Sequence, residues 1–132
     1  MSIVVDASTV VAALIDAGIN GTWAMERVRK HPLAAPHMMP AEAANIVRRA
    51  HLANKLTGEV AALAYRDLLN LPMDLYPFGP FAKRIWELRE TVTAYDAWYV
   101  ALAEALGAPL ATLDQRLANA PGPVCRFSTP PT

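Results

Sequence analysis

Cysteine is almost absent from this sequence, since Cys125 is the only one among 132 residues. A single thiol excludes an internal disulfide framework and a zinc site built from several cysteines. It also suits a reducing compartment, and we therefore expect a cytoplasmic protein. No stretch reaches the roughly 18 uncharged apolar residues that span a bilayer, and the first residues lack the pattern of a signal peptide. We expect a soluble domain without a membrane partner.

Charged residues are also scarce, and neither sign dominates. They make up 18% of the chain, against 54% for hydrophobic residues, and the formal net charge is +0. Nucleic acid would therefore have to bind a local basic patch, because the chain has no global positive field. The length suits one domain, and the excess of apolar side chains favours burial against a partner. We expect an oligomer or a complex.

Two further absences argue against common catalytic sites. None of the six glycines belongs to a phosphate-binding loop such as G-x-G-x-x-G or G-x-x-x-x-G-K. The histidines His31, His37 and His51 form no H-E-x-x-H pattern, and no evident base accompanies Cys125. Histidine-based and cysteine-based catalysis are therefore disfavoured.

What the sequence does contain is a short apolar run that ends in an acid. Residues 3–5 are β-branched and uninterrupted, as in a strand buried on both faces, and Asp6 follows them directly. Ser8 and Thr9 are good helix starters. Further short strands alternate with helices, which predicts an α/β fold with a central, mostly parallel sheet flanked by helices. We expect one domain over residues 1–128 and a C-terminal tail over 129–132.

Turn residues and caps set the predicted boundaries of the elements. The best-marked helix has Thr93 as its N-cap and Gly107 as its C-terminal stop. The predicted strands cover residues 3–5, 33–35, 73–76, 109–113 and 124–127. The predicted helices cover 8–15, 22–30, 40–53, 57–70, 81–89 and 94–106, followed by a short helix that ends at 120.

Four of the twelve acids occupy the same kind of position. Asp6 and Asp114 each end a predicted strand, while Glu42 and Asp96 lie in the first turns of helices. Helix dipoles and N-capping would explain three of them without any function. Asp6 is harder to explain, because a carboxylate that closes a central apolar strand has little solvent. The other eight acids, Glu104 among them, lie among polar neighbours and are interpreted as solvent-exposed.

Taken together, the four acids predict a metal site. If the two strands are neighbours in a parallel sheet, Asp6 and Asp114 emerge at the same edge, where the following helices also begin. Clustered carboxylates repel one another unless a cation holds them together. Oxygen ligands without nearby histidine or cysteine select Mg²⁺, or Mn²⁺, over Zn²⁺.

Four short motifs in this sequence together resemble a PIN domain. They are Val5-Asp6-Ala7-Ser8-Thr9-Val10, Glu42 with Asn45 one turn later, residues 94–103 and residues 109–114. More closely, the set is similar to the VapC ribonuclease toxins of bacterial type II toxin–antitoxin systems. The resemblance covers nearly the whole chain and matches its length.

The resemblance implies a role for each matched residue. The positions that match the family's catalytic, metal-binding acids are Asp6, Glu42, Asp96 and Asp114. Ser8 and Thr112 match hydroxyl positions that hydrogen-bond around the site, and Asn45 could orient Glu42 from the same helix face. Gln115 is a departure, because some relatives have another acid hereabouts, and a second metal ion is therefore less well supported than the first.

The resemblance implies a Mg²⁺-dependent endoribonuclease that acts as a toxin and is neutralised by a cognate antitoxin. It also implies a homodimer. RNA must be held by cations, for which Arg48, Arg49 and Arg116 are the candidates nearest the acids. Alternatively, each of these arginines simply lies on a solvent-exposed helix face and binds nothing. The sequence does not name the RNA, which could be transfer, ribosomal or messenger RNA.

Two other classes of protein compete with this interpretation. A receiver-like signalling domain requires adjacent acids after the first strand and a lysine after the last, but Asp6 stands alone and no lysine follows Lys83. A catalytically silent PIN-like module that binds RNA or protein is the second alternative. The presence of all four acids argues against it.

Overall fold

In the computed structural model of the chain, which describes residues 1–131, five parallel strands form one sheet. The strands are β1 (Ile3–Val5), β2 (Leu33–Pro36), β3 (Asp74–Tyr76), β4 (Leu110–Ala111) and β5 (Phe127–Ser128). Their order across the sheet is β3-β2-β1-β4-β5, which places β1 at the centre. The last residue of the predicted tail, Thr132, lies outside the described residues.

Helices connect the strands along the chain. They are α1 (Ala7–Ile15), α2 (Ile19–Lys30), α3 (Met39–Leu52), α4 (Gly58–Asn70), α5 (Ala82–Glu87), α6 (Ala94–Leu106) and α7 (Gln115–Ala118), with a 3₁₀ turn over Gly79–Phe81. The alternation of parallel strands with helices confirms the predicted α/β fold class. Among residues 1–131, no helix is long and apolar enough to cross a bilayer.

The central strand β1 sets the edge at which the predicted acids meet. Its three side chains are at most 2% exposed, as expected for an apolar run covered on both faces. Full burial of a Val or Ile side chain contributes roughly 1.5–3 kcal/mol. β1 pairs in parallel with β4, with Val4 opposite Leu110 and Val5 opposite Ala111. Asp6 and Thr112 therefore leave the sheet side by side.

Helix α6 carries the third acid to the same edge. Thr93 Oγ1 accepts a hydrogen bond from Asp96 N at 3.2 Å, which caps the helix. Gly107 ends it with φ of 62°, a left-handed conformation that favours glycine. Buried side chains such as Ala97 and Val100 fix the helix in the core, and α6 packs against β1 and β2. The predicted bounds of this helix are confirmed.

Two predicted strands near the C-terminus were wrong in length or position. The strand expected over residues 109–113 is only Leu110–Ala111, because the chain turns at once into the cap that Asp114 forms for α7. The strand expected over 124–127 is shifted to Phe127–Ser128. Val124 N donates to Glu104 Oε2 at 2.8 Å, which ties this segment to α6 instead of the sheet. Glu104 is therefore not a solvated acid, and its side chain is only 14% exposed.

Candidate active site

A crevice at the carboxyl ends of β1 and β4 brings all four predicted acids together. Its volume is about 300 Å³. The side chains that line it include the four acids Asp6, Glu42, Asp96 and Asp114, together with Ser8, Asn45, Ile46, Arg49 and Tyr99. A larger cleft of about 800 Å³ beside α2 has none of these acids in its walls.

Asp6 is held in place by three hydrogen-bond donors. Its Oδ1 accepts from Ser8 Oγ at 2.7 Å and from the backbone N–H of Thr9 at 2.9 Å, which makes Asp6 the N-cap of α1. Its Oδ2 accepts from the hydroxyl of Thr112, which is fully buried at the end of β4. The carboxylate is thereby fixed between two strands and a helix.

Glu42 has a partner that the sequence reasoning missed. Its Oε1 accepts a hydrogen bond from the hydroxyl of Tyr99 at 2.6 Å, and Tyr99 is only 2% exposed. Burial and the neighbouring Glu42 raise the pKa of Tyr99 far above its usual value, so the hydroxyl remains a donor. The one available signal was that Tyr99 lies three residues after Asp96, on the same face of α6. Asn45 lines the crevice beside Glu42.

Asp96 and Asp114 complete the acidic wall. Asp114 Oδ1 accepts from Arg116 N at 3.0 Å and Leu117 N at 3.3 Å as the N-cap of α7. Asp96 is half-buried, and this desolvation raises its pKa. The negative charges of Asp114, Asp6 and Glu42 raise it further. The four acids therefore interact electrostatically in the folded chain.

None of the ion pairs within residues 1–131 involves these four acids. The ion pairs of the described chain all lie elsewhere, and they join Glu26 to Arg27 and Lys30, Arg66 to Asp67, and Arg84 to Glu87 and Glu104. Arg49 lines the crevice but forms no ion pair with its carboxylates. The crevice thus has an excess of negative charge, which a bound cation would offset.

The carboxylate oxygens of the four acids and their negative charge suit a hard divalent cation, but the side chains are not drawn together around one point as ligands of a bound metal are. All four acids present oxygen atoms, and no histidine or cysteine lines the crevice. Yet in the part of the chain described, no three acidic, histidine or cysteine side chains are placed to hold an ion. Asp6, Glu42 and Asp114 each accept hydrogen bonds from donors of the protein.

The three candidate arginines occupy different places. Arg49 lines the acidic crevice, and Arg116 lines a second cleft of about 270 Å³ that shares Asp96 and Asp114 with it. Arg48 is exposed on α3 and lines neither of these two clefts. The structure therefore brings two of the three arginines to the acids.

Fold and crevice together define a small parallel α/β domain with an acidic site at the carboxyl edge of its sheet. Comparison with known families agrees with this description. A family model described as the PIN domain matches residues 3–123. The chain belongs to the PIN-domain family.

Sequence similarity to individual proteins shows to which group within the family the chain belongs. Ribonuclease VapC1 of Mycobacterium tuberculosis is 42% identical over 125 residues, which cover 94% of this chain and 94% of the relative. Ribonuclease VapC12 of the same organism is 35% identical over 120 residues, or 91% of this chain and 92% of the relative. Within the PIN-domain family, the chain is a member of the VapC group.

Solved structures with a similar fold include proteins named VapC and VapBC. VapC20 of Mycobacterium tuberculosis, described as a sarcin-ricin loop cleaving toxin, superimposes with a TM-score of 0.66 at 15% identity, over 88% of this chain and 92% of that one. VapBC2 of Rickettsia felis, bound to a DNA fragment from its promoter, gives a TM-score of 0.65 at 14% identity, over 99% and 100% of the two chains. At these identities the similarity supports the fold alone.

Proposed function

We propose that this protein is a Mg²⁺-dependent endoribonuclease that hydrolyses RNA phosphodiester bonds. The observation that carries the proposal is the meeting of Asp6, Glu42, Asp96 and Asp114 in one crevice, with none of the ion pairs within residues 1–131 involving them. Two relatives, at 42% and 35% identity, are named ribonucleases. We further propose that the protein acts in the cytoplasm as the toxin of a type II toxin–antitoxin system.

The four acids would hold Mg²⁺, with Mn²⁺ as an alternative. When bound, the ion would offset the negative charge at the reacting phosphate and activate a water for in-line attack. Ser8 and Thr112 hold the Asp6 carboxylate at the sheet edge, and Tyr99 holds that of Glu42. Side chains that position ligands in this way typically change metal affinity or activity 10–100-fold when lost.

The substrate must also be bound against an acidic background. Arg49 and Arg116 lie at the acidic clefts, and Arg48 adds positive charge nearby on α3. Guanidinium groups often bind phosphate oxygens in a bidentate manner. Each phosphate that they neutralise releases its counterions, so the affinity for RNA should fall as the salt concentration rises. These three arginines are the proposed RNA-binding residues.

A cognate antitoxin and a second copy of the chain are the proposed protein partners. The apolar side chains of Val60, Leu63 and Leu69 on α4 are between 43% and 63% exposed. Exposed apolar surface of this kind favours burial against a partner. Similar solved structures include VapBC2 of Rickettsia felis and VapBC-5 of Mycobacterium tuberculosis, the latter described as a member of a toxin–antitoxin family.

Incubation of the purified protein with total RNA tests the proposed activity. We expect cleavage with Mg²⁺, none with EDTA, and none by the Asp6→Asn variant. Asparagine is a good N-cap, so this substitution removes the charge and keeps the cap of α1. Asp67→Asn, on the exposed face of α4, is the matched control and should cleave like the wild type. Cleavage that survives both EDTA and Asp6→Asn would overturn the proposal, and a chain that cleaves no RNA would support a silent binding module.

A further inference from the structure

Two adjoining clefts share the carboxylates of Asp96 and Asp114. The cleft on one side contains Arg49 and has a volume of about 300 Å³, and the cleft on the other side contains Arg116 and has a volume of about 270 Å³. A chain molecule that passes from one cleft to the other must cross the two shared acids. Arg49 lies on α3, which follows β2, and Arg116 lies on α7, which follows β4. Because β2 and β4 lie on either side of β1, the two arginines belong to helices on either side of the central strand.

Both arginines have free guanidinium groups. Among residues 1–131, neither side chain takes part in an ion pair, and neither makes a hydrogen bond. Arg84 is a contrast, since it is bound to Glu104, Glu87 and the carbonyl of Gly122. Arg49 and Arg116 stand beside carboxylates without pairing with them, and their donors are available to another anion.

The dimensions of the clefts decide which kind of nucleic acid fits. Volumes of about 300 Å³ and 270 Å³ lie at and just below the lower bound of small-molecule pockets and suit a nucleotide-sized unit. A duplex would have to lie outside both clefts. The cleft with Arg116 also has Val92 and Ala120 beside the hydroxyls of Thr91 and Thr93, a mixed apolar and hydroxyl wall that suits a ribose.

We infer that a single RNA strand crosses Asp96 and Asp114, with Arg49 and Arg116 binding phosphates on opposite sides of the bond that is cut. This inference rests on the proposed ribonuclease activity and adds the path of the substrate. The phosphate above the acids is then the one that reacts, while each flanking phosphate has a guanidinium of its own. Specific cleavage requires nucleotides on both sides of the reacting bond.

Oligonucleotides trimmed on one side of a mapped cleavage position test this path. We would measure KM and kcat for the wild type, Arg49→Ala and Arg116→Ala on a full-length oligonucleotide and on two sets shortened from the 5′ or the 3′ side. Each variant should raise KM about tenfold on the full-length substrate, as expected for the loss of one charged hydrogen-bonding contact. On the 5′-trimmed set, the KM of one variant should equal that of the wild type. On the 3′-trimmed set, the KM of the other variant should do so.

Controls separate this inference from the proposed activity. Arg66→Ala removes an exposed arginine of α4 and should have the KM of the wild type on the full-length and on both trimmed substrates. Thermal melts check that each variant is folded. Fluorescence anisotropy of the same labelled oligonucleotides in EDTA gives a second readout that needs no cleavage. The inference would be overturned if the KM increases of both variants disappeared on the same trimmed set, or on neither set, while the wild type still cleaved. If the wild type cleaves no RNA, the proposed activity fails, and anisotropy without flank dependence would overturn the strand path as well.

Discussion

The hydroxyl of Tyr99 lies 2.6 Å from Oε1 of Glu42 and joins α6 to α3 inside the acidic crevice. Tyr99 follows Asp96 by one helical turn, so a single helix supplies one acid and steadies another. Because burial and the neighbouring Glu42 raise the pKa of Tyr99, its hydroxyl stays protonated and donates to the Glu42 carboxylate. One oxygen of Glu42 is thus held by the protein, and the other is left for a ligand.

Substitution of Tyr99 by phenylalanine should weaken the metal site while the chain still folds. The variant keeps the ring and loses one hydrogen bond to a carboxylate, which costs about 1–2 kcal/mol of unfolding free energy. Loss of this positioning contact should lower Mn²⁺ affinity about tenfold, as measured by calorimetry.

The matched control is Tyr65→Phe, because Tyr65 is exposed on α4. In a Glu42→Gln background the effect of Tyr99→Phe on Mn²⁺ affinity should disappear, because Tyr99 acts through Glu42. A full tenfold loss in that background would show that Tyr99 acts by another route.

A second carboxylate, Glu104, should make stability depend on pH. Burial by itself raises the pKa of Glu104, but Arg84 and the N–H of Val124 more than offset this and lower the pKa below its ordinary value of 4.5. A depressed folded-state pKa contributes stability above the unfolded-state value, and this contribution is lost as the pH falls through the folded-state value.

The Glu104→Gln variant should therefore be less stable than the wild type at pH 7, by about 1–2 kcal/mol. The difference should shrink as the pH falls below 4.5, which thermal or urea unfolding at several pH values can follow. Glu26→Gln is the comparison, since Glu26 is an exposed acid with an ion pair to Lys30. A difference between wild type and Glu104→Gln that stays constant from pH 7 to pH 3 would contradict the assigned role.

Cys125 should be slow to react with alkylating reagents. Burial and the negative charge of Glu104 raise the pKa of its thiol to about 11. At pH 8 the thiolate fraction would then be on the order of a hundredfold below that of a free cysteine with a pKa of roughly 8.5. Mass spectrometry after iodoacetamide treatment measures the rate, and Glu104→Gln should increase it. Alkylation of the native protein at the rate of a free thiol would show that the segment opens.

The sequence was sufficient to predict the parallel sheet from local signals, and the meeting of the acids followed on the condition that the strands before Asp6 and Asp114 are neighbours. An apolar run that ends in Asp6, the strand that precedes Asp114 and the cap at Thr93 each show in a few consecutive residues. The contact between Tyr99 and Glu42 could not be predicted in this way, since it joins residues 57 positions apart. Glu104 was misjudged for the same reason, because Arg84 and Val124 each lie 20 positions away in the chain. The roles of the site residues in catalysis and RNA binding remain predictions.

The rate of RNA cleavage as a function of Mg²⁺ concentration tests the central claim most directly. The account predicts that wild-type cleavage is absent in EDTA, rises with Mg²⁺ and saturates. Asp96→Asn should reduce the saturated rate at least about a hundredfold, because the ion contributes several kcal/mol to the reaction. Asp67→Asn should follow the wild-type curve. Equal rates with and without Mg²⁺, or an Asp96→Asn curve that matches the wild type, would contradict a metal-dependent ribonuclease built on these four acids.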